Sequence, residues 1–283
     1  MKVMILDSKS MAGHMISDYL SSLKKYKIIN IKCNIENEIF IKKSGLGLPL
    51  TINLIIKLNK PDVIINCLRV LIDESQKYPS KAIYFNSFLP RYLESLCNEK
   101  VKIIHLSTDC VFSGRNGNYN EYDIPDSNTY YGKTKALGEI NNNKDLTIRT
   151  SFIGPNINNK KEELFHWFMM QEGEIEGFDK AIWTGITTLE LAKCIDTAID
   201  HDITGLYHLI PLKSITKYDL LNLIKIIFKK ENIYIKRNYK ISINRSLIDN
   251  RKKIYVNNYR KMFEELFIWM NDHHKKYQKY LNY

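Results

Sequence analysis

Through its first half the chain alternates short apolar runs with longer amphipathic segments, and this alternation constrains the fold more than any other feature. An apolar run of that length, bounded by turn residues, reads as a strand buried on both faces, and the intervening segments carry apolar residues at helical spacing. The order is that of an α/β protein, a doubly wound parallel sheet covered by helices on both sides. Strands are expected at Lys2 to Leu6, Lys27 to Cys33, Asp62 to Cys67, Val101 to Ser107 and Leu146 to Thr150. Helices are expected at Met11 to Leu23, Ser80 to Asn98 and Tyr130 to Glu139.

After Gly154-Pro155-Asn156 the order changes. Helices are expected at Lys161 to Met170, Thr188 to Asp200, Lys217 to Phe228 and Tyr259 to Asn271, with one more strand at Gly205 to Leu209. The expected organisation is a first domain over 1–153, and over 154–283 a smaller unit from which some segments return to the sheet. At 283 residues, either part can bury a core without staples.

Composition narrows the function classes. The five cysteines are odd in number and scattered, with no metal-ligand spacing, which suits a reducing, cytoplasmic setting. The longest uncharged stretch, Ser44 to Ile56, is well short of the roughly 20 apolar residues that span a bilayer. A net charge of +11, from 42 Lys+Arg against 31 Asp+Glu, suggests an anionic partner. The basic runs near the C-terminus carry no nucleic-acid motif, so neither nucleic acid nor membrane is expected as a partner.

Chemistry concentrates after the strand ending in Leu106. Ser107-Thr108-Asp109 stands at the C-terminal edge of a parallel sheet, where such sheets present their ligands, and a hydroxyl there can hold a carbonyl. A glycine-, asparagine- and proline-rich loop follows from Asn116 to Ser127, then Tyr131-Gly132-Lys133-Thr134-Lys135. Tyr131 and Lys135, four apart, share one helix face. A phenol of pKa about 10 exchanges protons near neutrality only beside a cation.

These residues, in their order and spacing, resemble the extended short-chain dehydrogenase/reductases, and specifically the dTDP-4-dehydrorhamnose reductase family. The resemblance runs over nearly the whole chain, through Pro61 to Cys67, Asn86, His105 to Gly114, Gly117-Asn118-Tyr119, Tyr131 to Glu139, Arg149-Thr150-Ser151 and Thr184 to Ala192. It implies a Rossmann-type dinucleotide-binding domain carrying the catalytic residues over 1–153, and a mainly substrate-binding domain over 154–283. It also implies NAD(P)H-dependent reduction of the C4 keto group of a nucleotide-linked 4-keto-6-deoxy sugar for polysaccharide synthesis, most simply dTDP-4-dehydro-L-rhamnose. Carried over residue by residue, Tyr131 donates the proton, Lys135 holds the nicotinamide ribose and lowers the Tyr131 pKa, and Thr108 orients the carbonyl. Asp109 and Phe152 contact the substrate, Phe152 standing where the family often has Trp. Ser10, Met11, Ala12, Gly13, Cys67, Leu68 and Arg69 fall where the cofactor lies. A homodimer and a magnesium requirement stay open.

The sequence departs from the family in its first loop. A GxxGxxG pattern appears as Asp7-Ser8-Lys9-Ser10-Met11-Ala12-Gly13, with only the third glycine kept. A carboxylate 4 Å from a phosphate charge costs about 4 kcal/mol at an effective dielectric of about 20, unless Asp7 turns away or Lys9 or Arg69 neutralises it. The second strand ends in Lys32-Cys33-Asn34 without the acid that marks NAD, which leans toward NADPH over NADH. Ser44 to Pro49 replaces the family's Asp-containing turn. His166, Trp167 and Trp183 are candidates for a sugar pocket or for core, and Arg245 and Arg251 for a diphosphate clamp or for surface. Two alternatives stay open: a reductase of a UDP-linked N-acetylated 4-keto sugar, and a non-catalytic sugar-nucleotide-binding or regulatory subunit.

Overall fold

The computed structural model describes residues 1–33, 48–97, 99–158 and 163–281. Asn34, Ser44 to Gly47, Asn98 at the expected end of one helix and Lys161 at the expected start of another lie outside the described residues.

The strands β1 (Lys2–Leu6), β2 (Lys27–Ile31), β3 (Val63–Asn66), β4 (Lys102–Leu106) and β5 (Leu146–Arg149) form one sheet, joined from the second half of the chain by β9 (Gly205–His208). Its order is β2-β1-β3-β4-β5-β9, with every pairing parallel. Alternation along β1 buries both faces. Val3 and Ile5 pack with Ala12, Met15 and Ile195, while Met4 and Leu6 pack with Ile52, Leu89 and Leu93. Each such side chain removed from water contributes about 1.5–3 kcal/mol, so neither layer of helices can be peeled off cheaply.

The chain passes from β1 outward to β2 and then back across to β3, so the strand order reverses there. A doubly wound sheet opens its ligand crevice at that reversal, outside the strands' C-terminal ends. The helix Met11–Ser22 starts at this place because Ser10 caps it, accepting from the Gly13 amide at 3.1 Å.

A second layer comes from segments the apolar pattern does not announce. β7 (Gly173–Trp183) pairs in parallel with β11 (Ile233–Asn244) and antiparallel with β10 (Ile215–Thr216), and β6 (Phe152–Ile153) pairs with β8 (Ile186–Thr187). Glu174 and Glu176 face solvent while Ile175 and Gly177 are buried, so β7 is one-faced and reads as polar. The far end of β11 closes over the loop that follows β4: the Asn244 amide donates to Gly114 O at 2.8 Å and the Tyr119 amide to Ser246 O at 2.9 Å.

The C-terminal helix His274–Leu281 docks on the first crossover, with Tyr277 Oη 3.2 Å from His14 Nε2 and Tyr280 Oη donating to Asn156 O at 2.9 Å. Among the described residues no helix is long and apolar enough to cross a membrane, and the five cysteines are unbridged.

Candidate active site

β4 carries Ser107 and Thr108 out of the sheet at its C-terminal edge. Thr108 is extended and caps a short turn, accepting from the Cys110 amide at 3.1 Å and facing Asp109 Oδ1 at 3.3 Å. Across from it the helix Tyr130–Leu137 begins at Thr129, whose hydroxyl accepts from the Gly132 amide at 3.0 Å. A Cβ on Gly132 would stand 2.2 Å from Cys110 O, so this glycine lets the helix lie against the β4 loop. Tyr131 and Lys135 then face inward one turn apart, both buried.

Thr108, Tyr131 and Lys135 line one cavity of about 260 Å³ at the reversal of strand order. Met11 and Cys67 wall it on the side of β1 and β3, and Arg69, its guanidinium 4.7 Å from the Phe152 ring centroid, lines it together with Phe152. Five other residues named from sequence sit around this cavity and do not line it. Ser10, Ala12 and Gly13 form the helix start, Leu68 is buried in the core on the other sheet face, and Asp109 is buried behind Thr108. Trp183 lines the cavity, with the Lys217 ammonium 4.4 Å from its ring centroid, whereas Trp167 is partly exposed and His166 hydrogen-bonds Tyr280 at 3.0 Å.

Burial dominates the electrostatics. The Tyr131 phenol is pushed up to about 12 by desolvation, with Arg69 the largest opposing influence and the Thr108 hydroxyl a smaller one. Lys135 is lowered to about 7 by burial and then by Arg69. Its Nζ donates to Leu106 O at 2.7 Å and lies 3.3 Å from His105 Nε2. Asp109 is raised by burial against the pull of Arg245 and Lys217.

Beneath the cavity a buried network holds these parts in place. Glu139 takes the Arg149 fork at 2.8 and 2.7 Å and the Ser107 hydroxyl at 2.7 Å. Asn86, in a π-helical turn at Ile83–Phe88, accepts from the Val70 amide at 2.8 Å and donates to Thr134 Oγ1 at 3.2 Å. It thus joins the end of β3 to the catalytic helix. Asn86 and Glu139 belong to the motif segments of the sequence, but their role as braces is not legible there, because their partners come from other elements. Lys217 and Glu163 carry no sequence signal at all.

The first loop keeps the shape of a glycine turn without the glycines. Asp7 sits at φ 63°, the left-handed region, which Asp tolerates better than most side chains. Its carbonyl accepts from the Ser10 amide at 3.0 Å and the Ser10 hydroxyl at 2.8 Å. A Cβ on Gly13 would come within 2.2 Å of that carbonyl, so the retained glycine is the one the packing requires. The Asp7 charge acts on Cys33 and Cys67, which places it among the strand ends of the crevice. Arg69 pairs with Glu163, 3.4 Å from Nη2, and Lys9 is exposed. Arg251 donates to the carbonyls of Thr204 and Leu206, at 2.7 and 2.9 Å, and so braces β9. Arg245 donates to Phe112 O at 3.1 Å and thereby holds the β4 loop.

A family model described as the RmlD substrate binding domain matches residues 1–243. The chain belongs to this family. Among curated members of known name, it is 28% identical over 178 residues to a dTDP-4-dehydrorhamnose reductase of Escherichia coli, covering 58% of this chain and 59% of that one. It is 25% identical over 183 residues to a dTDP-4-keto-6-deoxy-D-glucose reductase of Streptomyces niveus, covering 60% and 62%. The chain thus spans about six-tenths of the length of these curated relatives. A crystal structure of dTDP-4-dehydrorhamnose reductase from Bacillus anthracis in complex with NADP superposes with a TM-score of 0.78 at 19% identity, over 95% of this chain and 99% of that one. The RmlD family fold therefore extends through nearly the whole molecule.

Proposed function

We propose that this protein reduces the C4 keto group of a nucleotide-linked 4-keto-6-deoxy sugar with a nicotinamide cofactor, most simply dTDP-4-dehydro-L-rhamnose to dTDP-L-rhamnose, in polysaccharide synthesis. The observation that carries this reading is the convergence of Thr108, Tyr131 and Lys135 on one cavity at the strand-order reversal. Family membership and the names of the relatives support it.

The residues at the first loop fit a dinucleotide. The left-handed turn at Asp7, the Ser10 cap and the close approach at Gly13 together present a helix N-terminus, which favours a diphosphate. When bound, the reduced nicotinamide supplies the hydride. Ser10, Met11, Ala12 and Gly13 would hold the diphosphate, and Cys67, Arg69 and Lys135 the nicotinamide end, while Leu68, expected there too, is turned into the core on the other sheet face. The exposed Lys32 at the end of β2 favours NADPH.

The chain's own part is orientation and proton transfer. Thr108 donates to the C4 carbonyl, and Tyr131 gives its hydroxyl proton to the C4 oxygen as negative charge develops there. Phe152 borders the sugar with Asp109 behind Thr108, and residues 154–283 supply most of the substrate side. The unbridged cysteines suit a cytoplasmic enzyme.

The test is turnover of dTDP-linked and UDP-linked N-acetylated keto sugars with NADPH and NADH, for the native protein and Tyr131→Phe. Loss of a general acid is expected to reduce kcat about 10²–10⁴-fold. Native turnover unchanged by Tyr131→Phe removes Tyr131 as the proton donor, and cofactor binding without turnover of any keto sugar leaves a sugar-nucleotide-binding protein.

A further inference from the structure

The second half of the chain sets a cation against the cavity that the proton transfer does not use. β10 pairs antiparallel with β7 so that Ile215 stands opposite Trp183, and Thr216 then caps the helix Lys217–Ile227, accepting from the Asp219 amide at 3.0 Å. That turn puts Lys217 beside Trp183, its Nζ 4.4 Å from the ring centroid, and both side chains line the cavity. Trp183 is a fixed seat. It is buried, lies stacked 6.0 Å from the Tyr259 ring, and would meet a Cβ on Gly185 at 2.0 Å.

Among the described residues three cationic side chains line this cavity: Arg69, Lys135 and Lys217. Arg69 pairs with Glu163 at 3.4 Å, and Lys135 donates to Leu106 O at 2.7 Å. Lys217 has the Trp183 face and, among the described residues, no hydrogen-bond acceptor. A ring face attracts an ammonium but does not satisfy its three N–H donors. Asp109 and Cys110 act on the Lys217 charge, which places it near the loop that presents Thr108, yet burial still lowers its pKa to about 8. A half-buried ammonium in that condition is completed by an anionic oxygen. The arginines that the sequence offers as a diphosphate clamp are engaged elsewhere. Arg245 donates to Phe112 O, Arg251 to Thr204 O and Leu206 O, and neither lines the cavity.

We propose that Lys217, seated on Trp183, binds a phosphate of the substrate's diphosphate and so selects a nucleotide-linked sugar over a free one. This assignment rests on the reductase reading above. The cofactor has its own phosphate site at the first loop, where Ser10 caps the helix Met11–Ser22. Lys217 comes instead from residues 154–283, the substrate side, and shares its wall of the cavity with Trp183. Every nucleotide-linked sugar carries a diphosphate, whether its base is thymine or uracil. A lysine is a point charge without a fixed fork, so this contact reads the phosphate and leaves the base to other residues.

The experiment is calorimetry on the full-length protein with dTDP, UDP and dTDP-glucose as probes, and with NADPH as the control for the first loop. Lys217→Met keeps the apolar stem and removes the charge. It is expected to weaken all three probes alike, by about 10–100-fold, and to leave NADPH within about twofold. Lys217→Arg should restore most of the loss. Trp183→Phe, which keeps a smaller ring under the ammonium, should weaken the same probes by about two- to fivefold, and it gives a second reading if the methionine variant does not fold. Unchanged dTDP affinity in Lys217→Met, or an equal loss of NADPH, overturns the assignment. A loss confined to dTDP-glucose overturns it too and puts Lys217 on the sugar ring, as does native protein that binds neither dTDP nor UDP. Binding is read without turnover, so native protein that binds these nucleotides and reduces no keto sugar refutes the reductase reading and leaves the phosphate contact standing.

Discussion

The first loop and the catalytic helix face each other across the same crevice, and they have kept different things. The helix and the β4 loop against it keep side-chain identity, with Thr108, Tyr131 and Lys135 all in place around one cavity. The loop keeps only backbone shape: Asp7 takes the left-handed turn, Ser10 closes it, and Gly13 alone is required by contact. Proton transfer depends on particular atoms, so the helix tolerates little. A turn depends on φ and on room for the backbone, and Asp, Ser and one Gly provide both. The braces differ accordingly. Buried ionic and amide groups hold the catalytic side, whereas a capped helix and the aromatic C-terminal helix hold the loop.

The largest expected effect lies on the catalytic side. Glu139→Gln leaves the buried Arg149 guanidinium uncompensated and weakens the tie to Ser107, so it should cost about 3–5 kcal/mol in chemical denaturation. A cost below about 1 kcal/mol would mean that the catalytic side is held by apolar packing alone.

Acid should loosen both sides together. His14, beneath the loop, and His208, beside Arg149, are each lowered to about 4, chiefly by burial. The unfolded chain therefore binds more protons than the folded one between about 6.5 and 4, and stability falls as pH drops through that window. Each histidine contributes on the order of 3 kcal/mol, fully present above about pH 6.5. His14→Gln, which keeps a polar amide at that position, should flatten the acid limb of a plot of Tm against pH. An unchanged limb would show that His14 titrates normally in the fold.

The smallest effect belongs to the loop. Asp7→Asn retains a residue that tolerates positive φ while removing the charge beside the diphosphate site. It should tighten cofactor binding by about tenfold, roughly 1.4 kcal/mol, and leave Tm nearly unchanged. Weaker binding, read by calorimetry, would show instead that the carboxylate itself helps to hold the cofactor.

What could be read directly from the chain was local. All six strands of the main sheet, most of its crossover helices and the Tyr131–Lys135 face follow from apolar periodicity, caps and spacing, because short apolar runs between turn residues announce themselves in composition. β7 and β11 did not, since each buries a single face and carries charge on the other, and parallel pairing joins residues some sixty positions apart. The helix Leu48–Asn59 was hidden for the opposite reason, as a nearly uniform apolar stretch shows no period.

The sequence by itself determined the sheet's class and the family, both of which are encoded in residue type and short spacing. Only the tertiary structure decided which charges surround the site. Arg69 reaches Glu163 and Phe152, Lys135 meets His105, and Asp7 becomes a turn residue. Those outcomes depend on burial and on partners brought together from separate elements. Desolvation and hydrogen-bond direction are properties of the assembled interior, and they fix protonation where residue identity alone does not.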